Sequence, residues 1–198
     1  MNFIRSGKTR IRSTFGRLRT HHSGRRGNAA IEFALVTPIF AVILAGGLDL
    51  AMLVFSRFRL EAAVSNSASY ALVQADMVDA KNSSDLAEKL AVMIASEDAG
   101  GNKHASIVVN NGASADYNGT KISIRGMPGR GDACYCPSGS AASLVWGSAR
   151  TCASACPSGG KAGKFVVVTV KQAYTPLFSS LGIVKGDSID ASAVIRAK

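Results

Sequence analysis

The feature that most limits this chain is an apolar stretch running from Ala29 to Phe55, with one acid near its start and a second near its far end. No charged side chain stands between Phe33 and Leu48. With Ala29 to Ile31 before it and Leu50 to Phe55 after it, the run is long enough to cross a bilayer, which takes about 20 apolar residues. Glu32 and Asp49 lie 17 positions apart. That is about 25 Å along a helix, so one acid falls near each edge of the hydrocarbon. Both therefore read as interfacial acids, and for Glu32 the residues in front of it add a second reading.

The charge is distributed unevenly around this stretch. Residues 1–27 hold eight basic side chains (Arg5, Lys8, Arg10, Arg12, Arg17, Arg19, Arg25 and Arg26) and no acid, so most of the net charge of +10 belongs to this leader. The other 171 residues are close to neutral, with 15 basic and 13 acidic side chains. Basic residues beside a membrane segment hold their side in the cytoplasm. The N-terminus is thus expected inside and the C-terminal part across the membrane. A basic arm can also bind nucleic acid, but this one has few aromatics for base stacking and abuts a membrane helix, so no nucleic-acid partner is expected. An ordinary secretory signal would have an apolar region of roughly 7–15 residues with no acid at its head.

Gly27 follows two arginines. A cut after it makes Asn28 the first residue of the mature chain, Glu32 the fifth and Phe33 the sixth. Basic leader, glycine, small or apolar residues, glutamate, aromatic and membrane helix form the arrangement of a type IV prepilin. Cutting after Gly24 or Gly16 would put Ala29 or His21 at the fifth position, so only Gly27 gives this register. The arrangement has a physical sense. A carboxylate one helical turn from a new α-amino group can pair with the amine of a neighbouring subunit, removing two charges whose unpaired burial would cost several kcal/mol, roughly 3–5.

The segment Asn28-Ala29-Ala30-Ile31-Glu32-Phe33-Ala34-Leu35-Val36-Thr37-Pro38, followed by Gly46-Gly47-Leu48-Asp49 and Arg57-Phe58-Arg59-Leu60-Glu61-Ala62-Ala63, resembles the TadE-like family of pseudopilins or minor pilins of the tight adherence (Flp) pilus system. The resemblance covers Gly27 to Tyr70, about a fifth of the chain. It implies cleavage between Gly27 and Asn28 by a prepilin peptidase, and subunit assembly through Glu32, Phe33 and Pro38. It also implies other pilin or pseudopilin subunits and membrane lipid as partners, and a place in the bacterial inner membrane with a periplasmic C-terminal domain.

Pro38 removes a backbone donor and crowds the carbonyl of Ala34, so a local kink is expected there. Ala41 with Ala45, and Gly47 with Ala51, are small residues four apart that let membrane helices approach closely. Beyond Phe55 no turn signal appears. Arg57 and Glu61 are four apart, with Leu60, Val64, Ala68, Ala71, Leu72 and Ala75 on or near one face, so the helix is expected to continue to about Ala80. After Lys81-Asn82-Ser83-Ser84, the sequence Asp85-Leu86-Ala87-Glu88 reads as a capping box for a second helix with Leu86, Leu90 and Ile94 on one face. Candidate strands are Ala105 to Asn110, Lys121 to Arg125, Lys164 to Lys171 and Ser188 to Ile195, with a hairpin turn at Asn118-Gly119. Asn118-Gly119-Thr120 also spells a glycosylation sequon, and Arg130-Gly131-Asp132 an integrin-binding tripeptide; a turn and a chance match are the preferred readings.

Four cysteines fall in one 23-residue window: Cys134 and Cys136, then Cys152 and Cys156, each second cysteine followed by Pro-Ser-Gly. Zinc knuckles pair cysteines separated by two to four residues, whereas Cys134 and Cys136 are separated by one. Across the membrane the compartment is oxidising, which favours two disulfides. Neighbours so close bridge each other poorly, so the bonds run between clusters, either Cys134 to Cys152 with Cys136 to Cys156 or crossed. Trp146 lies between the clusters, to pack on them or to serve as an exposed contact.

No catalytic constellation is evident. Of the three histidines, His21 and His22 lie in the leader and His104 stands alone; Walker, nucleophile-elbow and His-Glu-x-x-His motifs are absent. Neither enzyme activity nor a cofactor or metal is expected. The expected fold class is α+β: a basic cytoplasmic leader (1–27), a transmembrane helix (28–56) and a periplasmic or extracellular domain (57–198). In that domain the helix continues into a small antiparallel sheet of pilin-like design with a disulfide-bonded loop at 129–163. The expected function is that of a minor pilin or pseudopilin in adhesive pilus assembly. An uncleaved, membrane-anchored periplasmic interaction domain is the alternative.

Overall fold

The computed structural model of the chain describes residues 25–98, 100–179, 182 and 187–198. The leader expected at 1–27 lies outside these, apart from its last three residues. The chain divides into two units, Met1–Ala41 and Val42–Lys198. The first unit is helical throughout its described part, and belongs to helix α1 (Arg25–Val73). The chain is already helical at Arg25, before the expected transmembrane helix at 28–56, and the helix passes through Pro38 without interruption. Next to the donor that Pro38 lacks, the Thr37 hydroxyl donates to the Phe33 carbonyl at 2.6 Å, bringing a side-chain donor to the backbone where the ladder is weakened.

The second unit holds the rest of α1, a short 3₁₀ turn (Ala75–Met77), helix α2 (Ser83–Ser96) and five strands: β1 (Lys103–Val109), β2 (Ala113–Tyr117), β3 (Ile122–Gly126), β4 (Phe165–Ala173) and β5 (Ser188–Arg196). The strands form one antiparallel sheet in the order β3-β2-β1-β4-β5. The α+β class is therefore as expected: a long N-terminal apolar helix, an antiparallel sheet and a disulfide-bonded loop.

The register explains the core. Ile107 faces Ala115 on one side and Val168 on the other, Val168 faces Ala193, and Val109, Val166 and Ile195 form the next row. All point to one side of the sheet because alternate residues share a face. That side is closed by Leu60, Val64 and Ala71 of α1 and by Leu86, Ala87, Leu90, Ala91 and Ile94 of α2, nearly all without solvent exposure. The apolar run Val166-Val167-Val168 of β4 has a reason as well. Val166 and Val168 face the helices, while Val167, on the opposite side, is also buried. Thr169, on that same opposite face, has its hydroxyl at 3.5 Å from the Ala141 carbonyl of the cysteine loop. A strand covered on both faces reads as a continuous apolar run.

Three details differ from the sequence reading. First, α1 ends at Val73, not near Ala80, because the chain turns into the 3₁₀ segment and then an Asp79-centred turn. Second, α2 starts at Ser83, with Asn82 as its N-cap residue and no side-chain cap; Asp85 lies within the first turn, so the capping box does not form. Asp79 does the local work instead, its carboxylate accepting from the amides of Lys81 and Asn82 and the side chain of Asn82. Third, β2 was not foreseen. Asn110 and Asn111 both take positive φ (50° and 54°), and the Gly112 amide donates to the Val109 carbonyl, the backbone of a hairpin turn with two left-handed residues.

Candidate functional site

The N-terminal part of α1 carries the residues singled out for processing and assembly. Gly27 and Asn28 are helical, in the first described turn of α1, and Gly27 is a poor helix former. Glu32 and Phe33 lie at the exposed helix surface, with Phe33 73% exposed. Around them Ile31, Leu35, Val36, Ile39 and Phe40 are also exposed.

Within the second unit, α1 continues the exposed apolar surface through Leu48, Leu50, Val54, Phe55 and Phe58. Gly47, Leu50, Ala51, Val54, Phe55 and Phe58 line a shallow open groove, and nothing lies within 4 Å of where a Cβ on Gly47 would stand. The Gly47 and Ala51 pair is thus at the surface, open to close approach, whereas Ala45 of the other pair is buried. Where the apolar stretch ends, the Arg59 guanidinium lies over the Phe55 ring at 4.5 Å and Arg57 pairs with Glu61 at 3.0 Å. The latter pair is exposed and contributes little, at most about 1 kcal/mol.

Asp49 is 1% exposed, on the face of α1 that also buries Ala45 and Gly46. Its carboxylate accepts from the Leu177 amide at 2.8 Å and the Phe178 amide at 3.1 Å, and its backbone carbonyl accepts from the Tyr174 hydroxyl at 3.0 Å. The stretch Tyr174 to Phe178, just after β4, is thereby fastened to α1. Sequence reasoning missed this, since its partners lie more than 120 residues away.

The cysteine loop is settled by the structure. Cys134 bonds Cys152 and Cys136 bonds Cys156, the uncrossed pairing. All four sulfurs are thus engaged in disulfides and not available as thiolate ligands. Antiparallel bridges at Cys134–Arg150 and Tyr135–Gly163 extend the same tie. Trp146 packs edge-on against buried Tyr135, ring centroids 5.8 Å apart. The base of the loop is held by buried Asn110, whose amide nitrogen donates to the Gly131 and Ala133 carbonyls and whose carbonyl oxygen accepts from the Phe165 amide. Arg130-Gly131-Asp132 lies in a 3₁₀ turn, not at a loop tip. Gly131 is buried against the Asp79 carbonyl, and the Asp132 carboxylate accepts from the Ala80 amide. The Asn118 side chain accepts from the Lys121 amide and from the Thr120 amide and hydroxyl, so the hairpin turn reading holds for Asn118-Gly119.

Residues 27–69 match the family model described as TadE-like protein. The match starts at Gly27 and covers most of α1, leaving the sheet and the cysteine loop outside it. No curated protein and no solved structure matches the chain.

Proposed function

We propose, from the TadE-like segment at residues 27–69, that the chain is a membrane-anchored component of a Tad-type pilus system and acts there as a minor pilin or pseudopilin. One observation carries the reading. The matched segment begins at Gly27, and Glu32 stands five residues on in a helix whose apolar side chains remain exposed. The one helix among the described residues that is long and apolar enough to cross a membrane supports anchorage there.

The mechanism has three steps, each assigned to named residues. A prepilin peptidase removes the basic leader at Gly27–Asn28. Glu32 then pairs with the new α-amino group of Asn28 on an adjacent subunit. Lateral packing follows along the exposed helix, with Phe33 and Pro38 in the contact and the Gly47–Ala51 surface admitting a close neighbour. In this scheme the basic leader keeps the N-terminus in the cytoplasm, and the disulfides of the C-terminal domain fit a periplasmic position.

Replacing Glu32 by Ala tests the assembly step. Membrane insertion should be unchanged, because the change makes the stretch more apolar, while pili on the cell surface should be lost. Normal piliation in the Glu32→Ala strain would remove the proposed role of the carboxylate.

A further inference from the structure

The two outer edges of the sheet complement each other in backbone, size and charge. We propose that β5 of one copy takes β3 of the next as a sixth strand, so that copies join edge to edge in a row. This rests on the reading of α1 as a membrane anchor, which gives every copy the same direction.

Every neighbouring pair in the order β3-β2-β1-β4-β5 is antiparallel, so β3 and β5 run the same way. The Tyr174 amide donates to the Asp187 carbonyl and the Ala197 amide to the Lys164 carbonyl, which turns the odd-numbered residues of β5 toward β4. Ser188, Asp190, Ser192, Val194 and Arg196 therefore hold their backbone groups outward, where no strand pairs with them among the described residues. At β3 the Asn118 amide donates to the Lys121 carbonyl and the Met127 amide to the Gly112 carbonyl, so Ile122, Ile124 and Gly126 are the outward residues. In a parallel pair, an outward-turned residue lies level with one turned away and bonds that residue's two neighbours. Ser192 level with Ser123 of the next copy meets this rule. Its amide then reaches the Ile122 carbonyl, and its carbonyl receives the Ile124 amide.

Height selects that register. Copies anchored in one membrane stand at one level, and the rows across the sheet show what then meets. One row runs from Ile124 through Ala115, Ile107 and Val168 to Ala193, and the next from Ile122 through Tyr117, Ala105 and Val170 to Ala191. Two copies at equal height thus bring Ile124 to Ala193, Ile122 to Ala191 and Lys121 to Asp190. The sizes fit, since Ile124 is 44% exposed, while the small Ala191 and Ala193 line an open groove with Val64, Ser65 and Ala68 of α1. The charges fit as well, because Lys121 and Asp190 are both exposed and of opposite sign.

Pairing β5 with itself suits an anchored chain less. Antiparallel pairing would turn one α1 against the other, and parallel pairing at equal height would set Asp190 beside Asp190. The contact of β5 with β3 is instead head to tail and leaves a free edge at each end of the row. Five strand spacings separate successive α1 helices by about 24 Å. Edge pairing is therefore a contact additional to the one through Glu32, and is made with a different neighbour.

The test uses the full chain reconstituted in phosphatidylcholine vesicles and a short bis-maleimide cross-linker, to which the native cysteines, all in disulfides, do not respond. The double variant Ser123→Cys with Ser192→Cys should cross-link into a ladder of dimers, trimers and larger species, and neither single variant should. Adding Lys121→Asp should weaken the ladder about fivefold, because like charges then face each other across the strands, and adding Asp190→Lys as well should restore it. A ladder that Lys121→Asp leaves unchanged overturns the register. A double variant that stays monomeric while the chain resists alkaline extraction from the vesicles overturns the inference and leaves the reading of α1 standing; the edge charges then serve only to keep strands apart. Dimers formed by Ser192→Cys alone would mean that β5 pairs with itself, which also overturns the inference. A chain that washes off the vesicles overturns both.

Discussion

Asp49 concentrates the energetics of its neighbourhood in one side chain. Asp49→Ala would leave the Leu177 and Phe178 amides without their acceptor, and a buried donor left unsatisfied costs about 1–3 kcal/mol. Thermal unfolding of the detergent-solubilised chain should show that loss, with Asp49→Asn, which keeps one acceptor, falling between. An unchanged midpoint in Asp49→Ala would mean the contact is not made. At Asp79 the prediction concerns pH. The hydrogen bond from the Asn82 amide, with those from the Asn82 side chain and the Lys81 amide, holds its carboxyl below the ordinary carboxylate value. A folded value below the unfolded one stabilises at pH above the unfolded value, and this is lost as pH falls through the folded one. Asp79→Asn should therefore flatten the acid side of the stability profile and leave a fixed deficit near neutrality. Both acids are visible as letters. What they bind is not, since Asp49 finds its partners across 128 residues, and Asp79 won over the better-placed capping box at Asp85 through a turn that no spacing announces.

At the scale of elements, the parts with strong local patterns were legible. The apolar helix shows as an unbroken apolar stretch, the Leu86-Leu90-Ile94 face of α2 as a helical period, and the valine run of β4 as a strand buried on both faces. Strand β2 was not, because Gly112-Ala113-Ser114-Ala115-Asp116 is small and polar and takes its strand state from β1 and β3 on either side. The one available signal was the turn at Asn110-Asn111-Gly112 before the Ala113, Ala115, Tyr117 alternation. Disulfide pairing was open for a similar reason, since spacing allowed two connectivities and only the folded loop selects one. That loop has little regular structure, so its order should depend on its bonds. Replacing Cys134 and Cys152 together by Ser should cost about 3 kcal/mol, given a closed loop of this size. Limited proteolysis should then cut first within residues 133–163 while the helix-covered face of the sheet resists. Cleavage spread evenly over the chain would show that the loop is not a separately stabilised element.

For the whole molecule, a helix that keeps its apolar side chains exposed is joined to a domain with a well-closed core of its own. Such a chain is stable only where something other than water covers the helix, first lipid and then, in the proposed function, neighbouring subunits. The register of Gly27, Asn28, Glu32 and Phe33 is a proposal read from sequence, and the family match over residues 27–69 begins at the same glycine. The sheet and the cysteine loop lie outside that match. The most direct measurement of the central claim is the intact mass and N-terminal sequence of the protein isolated from membranes of cells that have, and cells that lack, a prepilin peptidase. The account predicts a chain beginning at Asn28 only where the peptidase is present; a chain that retains the leader in both would contradict it.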